Sequence, residues 1–180
     1  PDVASGMTNV AKNAKIKVSG DENTAKYLND GLFTVQDFTF PWEYVDANED
    51  QKGTTITLTW DTPVEIKSFI IYNSQNYFYA FDKVDLVRFK LAEKPAWYNL
   101  KDYNDYCYIE NLECNPENVE GNDFFMRQGG GALASFDNIK VTEMTIYINS
   151  KYTTEAEELD GSLNYAIRVS DIFVMGKEVK

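Results

Sequence analysis

Thr54-Thr55-Ile56-Thr57-Leu58-Thr59-Trp60 sets Ile56, Leu58 and Trp60 on one face and threonines on the other. Strict period-2 alternation of this kind marks an antiparallel strand with one face on a core and one in water. Trp60 is therefore expected inside. Asp61-Thr62-Pro63 reads as a turn into residues 64–72, where Ile66, Phe69, Ile70 and Ile71 predict a strand buried on both faces. Further out, residues 83–91 alternate Val87, Phe89 and Leu91 with Arg88 and Lys90, and a turn follows at Glu93-Lys94-Pro95. Segments 106–113, 132–136, 141–148, 166–175 and 15–19 bring the total to about eight strands, with almost no helical periodicity between them. The expected fold is all-β, a β-sandwich jelly roll of about eight antiparallel strands in a single domain spanning 1–180. Only 21–28, which opens with acidic residues, and 153–159 read as short helices.

Consecutive antiparallel strands put every second loop at the same end. Loops 20–53, 73–82, 114–131 and 150–164 should therefore gather at one end, and 61–63, 92–105 and 137–140 at the other. The first group is the longer, and binding residues concentrate on long loops held by a rigid scaffold.

Composition narrows the chemistry. The 180 residues carry 17 basic and 29 acidic side chains, a net charge of −12, and no histidine. Without an imidazole, Ser-His-Asp and Cys-His hydrolysis and the usual zinc hydrolase sites are excluded. Three arginines and no basic run leave nothing to track a phosphate backbone or an anionic bilayer. No apolar stretch approaches the roughly 18 residues that span a membrane, and nothing at Pro1 resembles a signal peptide, so a soluble fragment or mature segment is expected. The chain holds no Asn-x-Ser/Thr sequon, which weighs against a glycosylated ectodomain. Cys107 and Cys114 leave two readings. A turn between them would allow a disulfide, whereas one continuous strand would place them on opposite faces and forbid it.

Three stretches are candidates for function. Gln128-Gly129-Gly130-Gly131-Ala132 lacks the Lys-Ser/Thr of a phosphate loop and reads as a tight loop holding Arg127 at the rim. The carboxylates between Asp102 and Asp123 read as a solvated face rather than the facing acid–base pair that glycosidic hydrolysis needs. Asn73-Ser74-Gln75-Asn76-Tyr77-Phe78-Tyr79-Ala80-Phe81 combines aromatic rings with amides and hydroxyls. A sugar offers apolar C–H faces and a pattern of hydroxyls, so rings beside amides or a guanidinium are what hold it. Asn76, Tyr77, Tyr79 and Arg127 are the binding candidates, joined by Trp42 and, with a weaker case, Tyr44. Phe81 is assigned to the core, and Trp97 and Tyr98 to the opposite end.

Four segments resemble one family when taken in order. They are Asn9-Val10-Ala11-Lys12-Asn13-Ala14-Lys15-Ile16-Lys17-Val18-Ser19, Tyr27-Leu28-Asn29-Asp30-Gly31, Ile70-Ile71-Tyr72-Asn73-Ser74 and Ile167-Arg168-Val169-Ser170-Asp171-Ile172-Phe173-Val174-Met175-Gly176. Together they resemble the discoidin superfamily, which includes the factor V/VIII type C domains and the family 32 carbohydrate-binding modules of bacterial glycan-degrading enzymes. The resemblance implies a galactose-binding-like sandwich, a structural calcium, and glycan binding at the long-loop end. Carried over residue by residue, its calcium ligands are Tyr27, Asp30, Leu32, Thr34, Ser170 and Asp171, all through oxygen as a hard cation requires. Thr34 falls one residue early, and the tryptophan expected after it arrives only as Trp42. The alternative for Asp30-Gly31 is an ordinary turn. The function implied is a non-catalytic carbohydrate-binding module, monomeric, attached to other domains of a larger secreted or cell-surface bacterial protein. The net charge of −12 favours a neutral rather than strongly anionic glycan as partner, with no nucleic acid and no membrane insertion. A protein-interaction or adhesion domain on the same sandwich is the alternative.

Overall fold

The computed structural model describes residues 6–32, 42–74, 79–94, 96–100, 110–112, 130–150, 157–159 and 162–180. The strands run in chain order β1 (Thr8–Asn9), β2 (Lys15–Val18), β3 (Tyr44–Asp46), β4 (Thr54–Asn73), β5 (Phe81–Leu91), β6 (Trp97–Asn99), β7 (Glu110–Leu112), β8 (Gly131–Ser150), β9 (Glu157–Leu159), β10 (Ser162–Asn164) and β11 (Ile167–Glu178). Two 3-10 segments, Val10–Asn13 and Glu22–Leu28, precede β2 and follow it. The second is the short helix expected at 21–28, and Asp21 caps it by accepting from the Asn23 amide. The helix expected at 153–159 is not formed in its described part, because 157–159 is β9, paired antiparallel with β10.

Two layers arise because β4 and β8 each run 20 residues and bend together. The first half of β4 pairs with β2 and with the second half of β8, which β5 and then β6 extend. The second half of β4 pairs with β11 and the first half of β8, with β7 beyond; β1 and β3 line the far side of β11. Every pairing between these strands is antiparallel. The turn expected at 61–63 and the break expected at 137–140 are corrected by this arrangement. Between the pairs Thr59↔Glu143 and Val64↔Val141 residues 60–63 stand opposite Thr142 alone, and between Ile66↔Ile139 and Ser68↔Ser135 residues 136–138 stand opposite Lys67 alone. These are bulges of several extra residues, at which paired strands turn a corner without separating.

The bend brings the two ends of β4 to the same end of the sandwich. Tyr44 and Asn73 flank Val169 on its two sides, and the Tyr44 hydroxyl lies 2.6 Å from Thr54 Oγ1 at the start of β4. Described parts of the long loops meet there as well. Ser74 Oγ donates to Glu43 Oε2 at 2.7 Å, the Asn73 amide to Gly130 O at 2.8 Å, and Asn48 Nδ2 to Tyr165 O at 2.9 Å. At the opposite end the Ala92 amide donates to Lys140 O and the Val179 amide to Pro63 O.

Between the layers lies one core. Ile56, Leu58, Trp60, Ile66, Phe69 and Ile71 of β4 are buried with Val87 and Phe89 of β5, Met144 and Ile146 of β8, and Ile172 and Val174 of β11. Phe136, on the corner of β8, packs between Phe69 and Phe89 with ring centroids 6.2 and 5.5 Å away. Trp60 is in the core as expected, and its Nε1 donates to Val10 O at 2.8 Å. Phe81 is fully buried, also as expected. Among the described residues, no helix is long and apolar enough to cross a membrane.

Candidate functional site

Two places carry the chemistry foreseen from sequence. The first is the long-loop end. Tyr79 stands one residue before Ala80, which bridges Arg168 in parallel, and the Arg168 guanidinium carbon lies 4.5 Å from the Tyr79 ring centroid. Both side chains are half-buried. A polar network ties the two ends of the 73–81 loop: Asn73 Oδ1 accepts from the Ser74 and Phe81 amides, Asn73 Nδ2 donates to Phe81 O, and Ser74 reaches Glu43. Asn73, Ser74 and Glu43 are buried, so this network fixes the neck of the 73–81 loop in one geometry. Arg168 was not singled out from sequence. It lies between two apolar core residues at the start of the last strand, and that position alone would have put it at the loop end. Of the other binding candidates, Asn76, Tyr77 and Arg127 lie outside the described residues.

Trp42 is exposed and stands apart from this pair: its ring meets Tyr27 edge to face at 5.9 Å, and Lys26 Nζ sits 5.1 Å from the Tyr27 centroid. On the pairing register, antiparallel β3 carries Trp42 toward the Asp171 side of Arg168, while the parallel bridge carries Tyr79 toward Ile167. Tyr44 is a core residue rather than a loop-end ring. It is fully buried, its hydroxyl lies beside Thr54 Oγ1 and accepts from the Gly20 amide at 2.9 Å, and burial raises its pKa.

Around Asp30 and Asp171 lies the second place. Asp30 Oδ1 accepts from the Leu32 amide at 2.8 Å, and Gly31 between them adopts φ +79°. Asn29 Nδ2 donates to Ala11 O at 2.8 Å and Ala14 O at 3.2 Å, tying this loop to the first 3-10 turn. Asp171 follows a bulge in β11 and is fully buried. Its Oδ1 accepts from the Ile172 amide at 2.7 Å, whereas Oδ2 has no hydrogen-bond partner. Burial pushes the Asp171 carboxyl up to about 7; the Asp30 charge raises it further, and the Ile172 and Gly31 amides and the Lys12 ammonium oppose the rise. The Asp171 charge also adds to the burial that raises Tyr72, its partner across β4 and β11.

A buried carboxylate oxygen without a partner, within the field of a second carboxylate, is costly unless a cation or proton sits with it. The donor set is all oxygen, so the residues fit a hard cation. Among the described residues no group of three or more acidic, His or Cys side chains gathers, so backbone carbonyls would have to complete the shell. Tyr27, Leu32 and Ser170 adjoin the two aspartates in the chain or in this loop; Thr34 lies outside the described residues.

No family model matches the sequence, and no curated protein matches it. Solved structures do. The family 32 carbohydrate-binding module of NanJ from Clostridium perfringens, in complex with galactose, is similar at TM-score 0.55 and 9% identity, covering 94% of this chain and 98% of that one. Another family 32 module from Clostridium perfringens, in complex with GalNAc-beta-1,3-galactose, matches at TM-score 0.55 and 13% identity over 92% and 97%. An F5/8 type C domain from Bacteroides fragilis matches at TM-score 0.57 and 11% identity over 96% and 97%. The chain thus shares the β-sandwich fold of these domains.

Proposed function

We propose that this domain is a non-catalytic carbohydrate-binding module that grips a glycan at its long-loop end. The observation that carries this reading is the Tyr79–Arg168 pair at a loop whose neck is held by the buried, hydrogen-bonded Asn73–Ser74–Glu43 network. An aromatic ring supplies a surface for the C–H face of a sugar, and a guanidinium supplies fixed donors for its hydroxyls. Two domains of the same fold hold galactose or a galactose-containing disaccharide. Asn76, Tyr77 and Arg127 belong to the same loops by sequence and are proposed as further contacts, with Trp42 at the margin. A structural calcium held by Asp30, Asp171 and the carbonyls of Tyr27, Leu32 and Ser170, with Thr34, is part of the proposal. The task fitting such a module is to keep an attached enzyme or adhesin of a secreted or surface bacterial protein near a polysaccharide. A shallow site buries little ligand, so single-site affinity is weak and depends on preorganisation.

A glycan array of the chain, with calcium and with chelator, tests the reading. Tyr79→Ala and Arg168→Gln should each weaken binding about tenfold or more while the melting temperature stays within a few degrees of wild type, since one ring or one charged donor contributes on the order of 1–2 kcal/mol. Binding to no glycan at all, with capture of a partner protein through the same residues, would replace it with the adhesion reading.

A further inference from the structure

Lys12 is the feature of the cation cradle that no ligand pattern contains. It closes the first 3-10 turn, and the Asn29 bridges to Ala11 and Ala14 hold that turn against the Asp30-Gly31 loop. Its Cε and Nζ pass 2.7 and 2.8 Å from the point where a Cβ on residue 31 would stand, so the side chain lies across the bare face of Gly31. Only glycine permits this approach, and its φ of +79° independently favours glycine. The lysine is exposed, anchored at one end and free to leave at the other. Gly31 adjoins Asp30 in the chain, and the Lys12 and Asp30 charges both act on the buried Asp171 carboxyl, whose Oδ2 has no hydrogen-bond partner.

We propose that Lys12 is a built-in counter-cation for the Asp30/Asp171 pair and competes with a free divalent ion for the same negative potential. This rests on the cradle being a cation site, and it goes further by assigning that site two alternative cations, one tethered and one free. A tethered ammonium neutralises the carboxylates when divalent ions are scarce, and it swings into solvent when an ion enters. The domain would keep its fold across a range of calcium concentrations and take up calcium more weakly than the carboxylates alone would.

The test compares the chain with Lys12→Met and Lys12→Arg, by thermal unfolding in chelator and by calorimetric titration with calcium chloride. Lys12→Met should melt below wild type in chelator and bind calcium about tenfold more tightly, the effect of removing one unit charge several ångströms away at a partly exposed site. Lys12→Arg should restore the wild-type melt. The proposal is overturned if Lys12→Met melts like wild type in chelator and takes calcium with unchanged affinity, or if Lys12→Arg behaves as Lys12→Met does. Calcium moving neither protein, with Lys12→Met still melting low and Lys12→Arg normal, would remove calcium from the cradle and leave the lysine as its cation.

Discussion

At the scale of single residues, Asp171 makes the most direct prediction. Its folded carboxyl titrates near 7, against 3.8 ordinarily, so the native state holds the proton more tightly than the unfolded chain. The associated stability is complete below about pH 4 and is lost as pH rises through 7. In chelator the wild type should lose about 2–3 kcal/mol relative to Asp171→Asn between pH 5 and 8. Paired urea or thermal melts at the two pH values check this, and parallel curves would refute it. That Asp30 and Asp171 act on one another was legible from the family resemblance, because each sits in a short, ordered motif. Lys12 was not, and of Arg168 only its place at the loop end was. Their roles depend on which turn lies across Gly31 and which loop meets the start of β11, and those contacts join positions far apart in sequence.

At the scale of elements, the alternation of Ile56, Leu58 and Trp60 identified the central strand correctly, and the parity break after Trp60 was real. A local break does not say whether the chain reverses as a hairpin or bends as a bulge, since both interrupt the period of two. The partner decides: β8 stays paired with β4 on both sides of the corner. For the same reason the described parts of the long loops gather at one end as foreseen, because a bend that folds β4 over places its two ends as a reversal would. The start of β4 depends on Gly53, which has φ +86° and whose Cβ would run into the Ile148 carbonyl oxygen of β8. Gly53→Ala should therefore cost about 2 kcal/mol or more, combining left-handed strain with a backbone collision at the Thr54↔Ile148 pair. A denaturant melt within about 0.5 kcal/mol of wild type, the range of a neutral surface change, would contradict it.

At the scale of the whole molecule, charge rather than fold separates the classes of glycan. The sandwich accommodates many ligands, and its outline does not choose among them. A net charge of −12 with no histidine to titrate near neutrality gives the chain a persistent negative field. That field repels sulfated or uronate-rich chains at long range, while Arg168 attracts them only within a few ångströms. Salt shortens the reach of the long-range term, from ~30 Å at 0.01 M to ~8 Å at 0.15 M, and leaves contact interactions largely in place. On the proposed glycan-binding reading, a neutral glycan should therefore bind with the same affinity at low and physiological ionic strength. A sulfated analogue should bind more weakly at low salt and gain as salt is added, the opposite of the usual behaviour of anion-binding proteins. Titrations of the matched pair at the two ionic strengths decide the matter: sulfated glycan bound more tightly at low salt would show that the local arginine dominates the net field, and would make the ligand anionic.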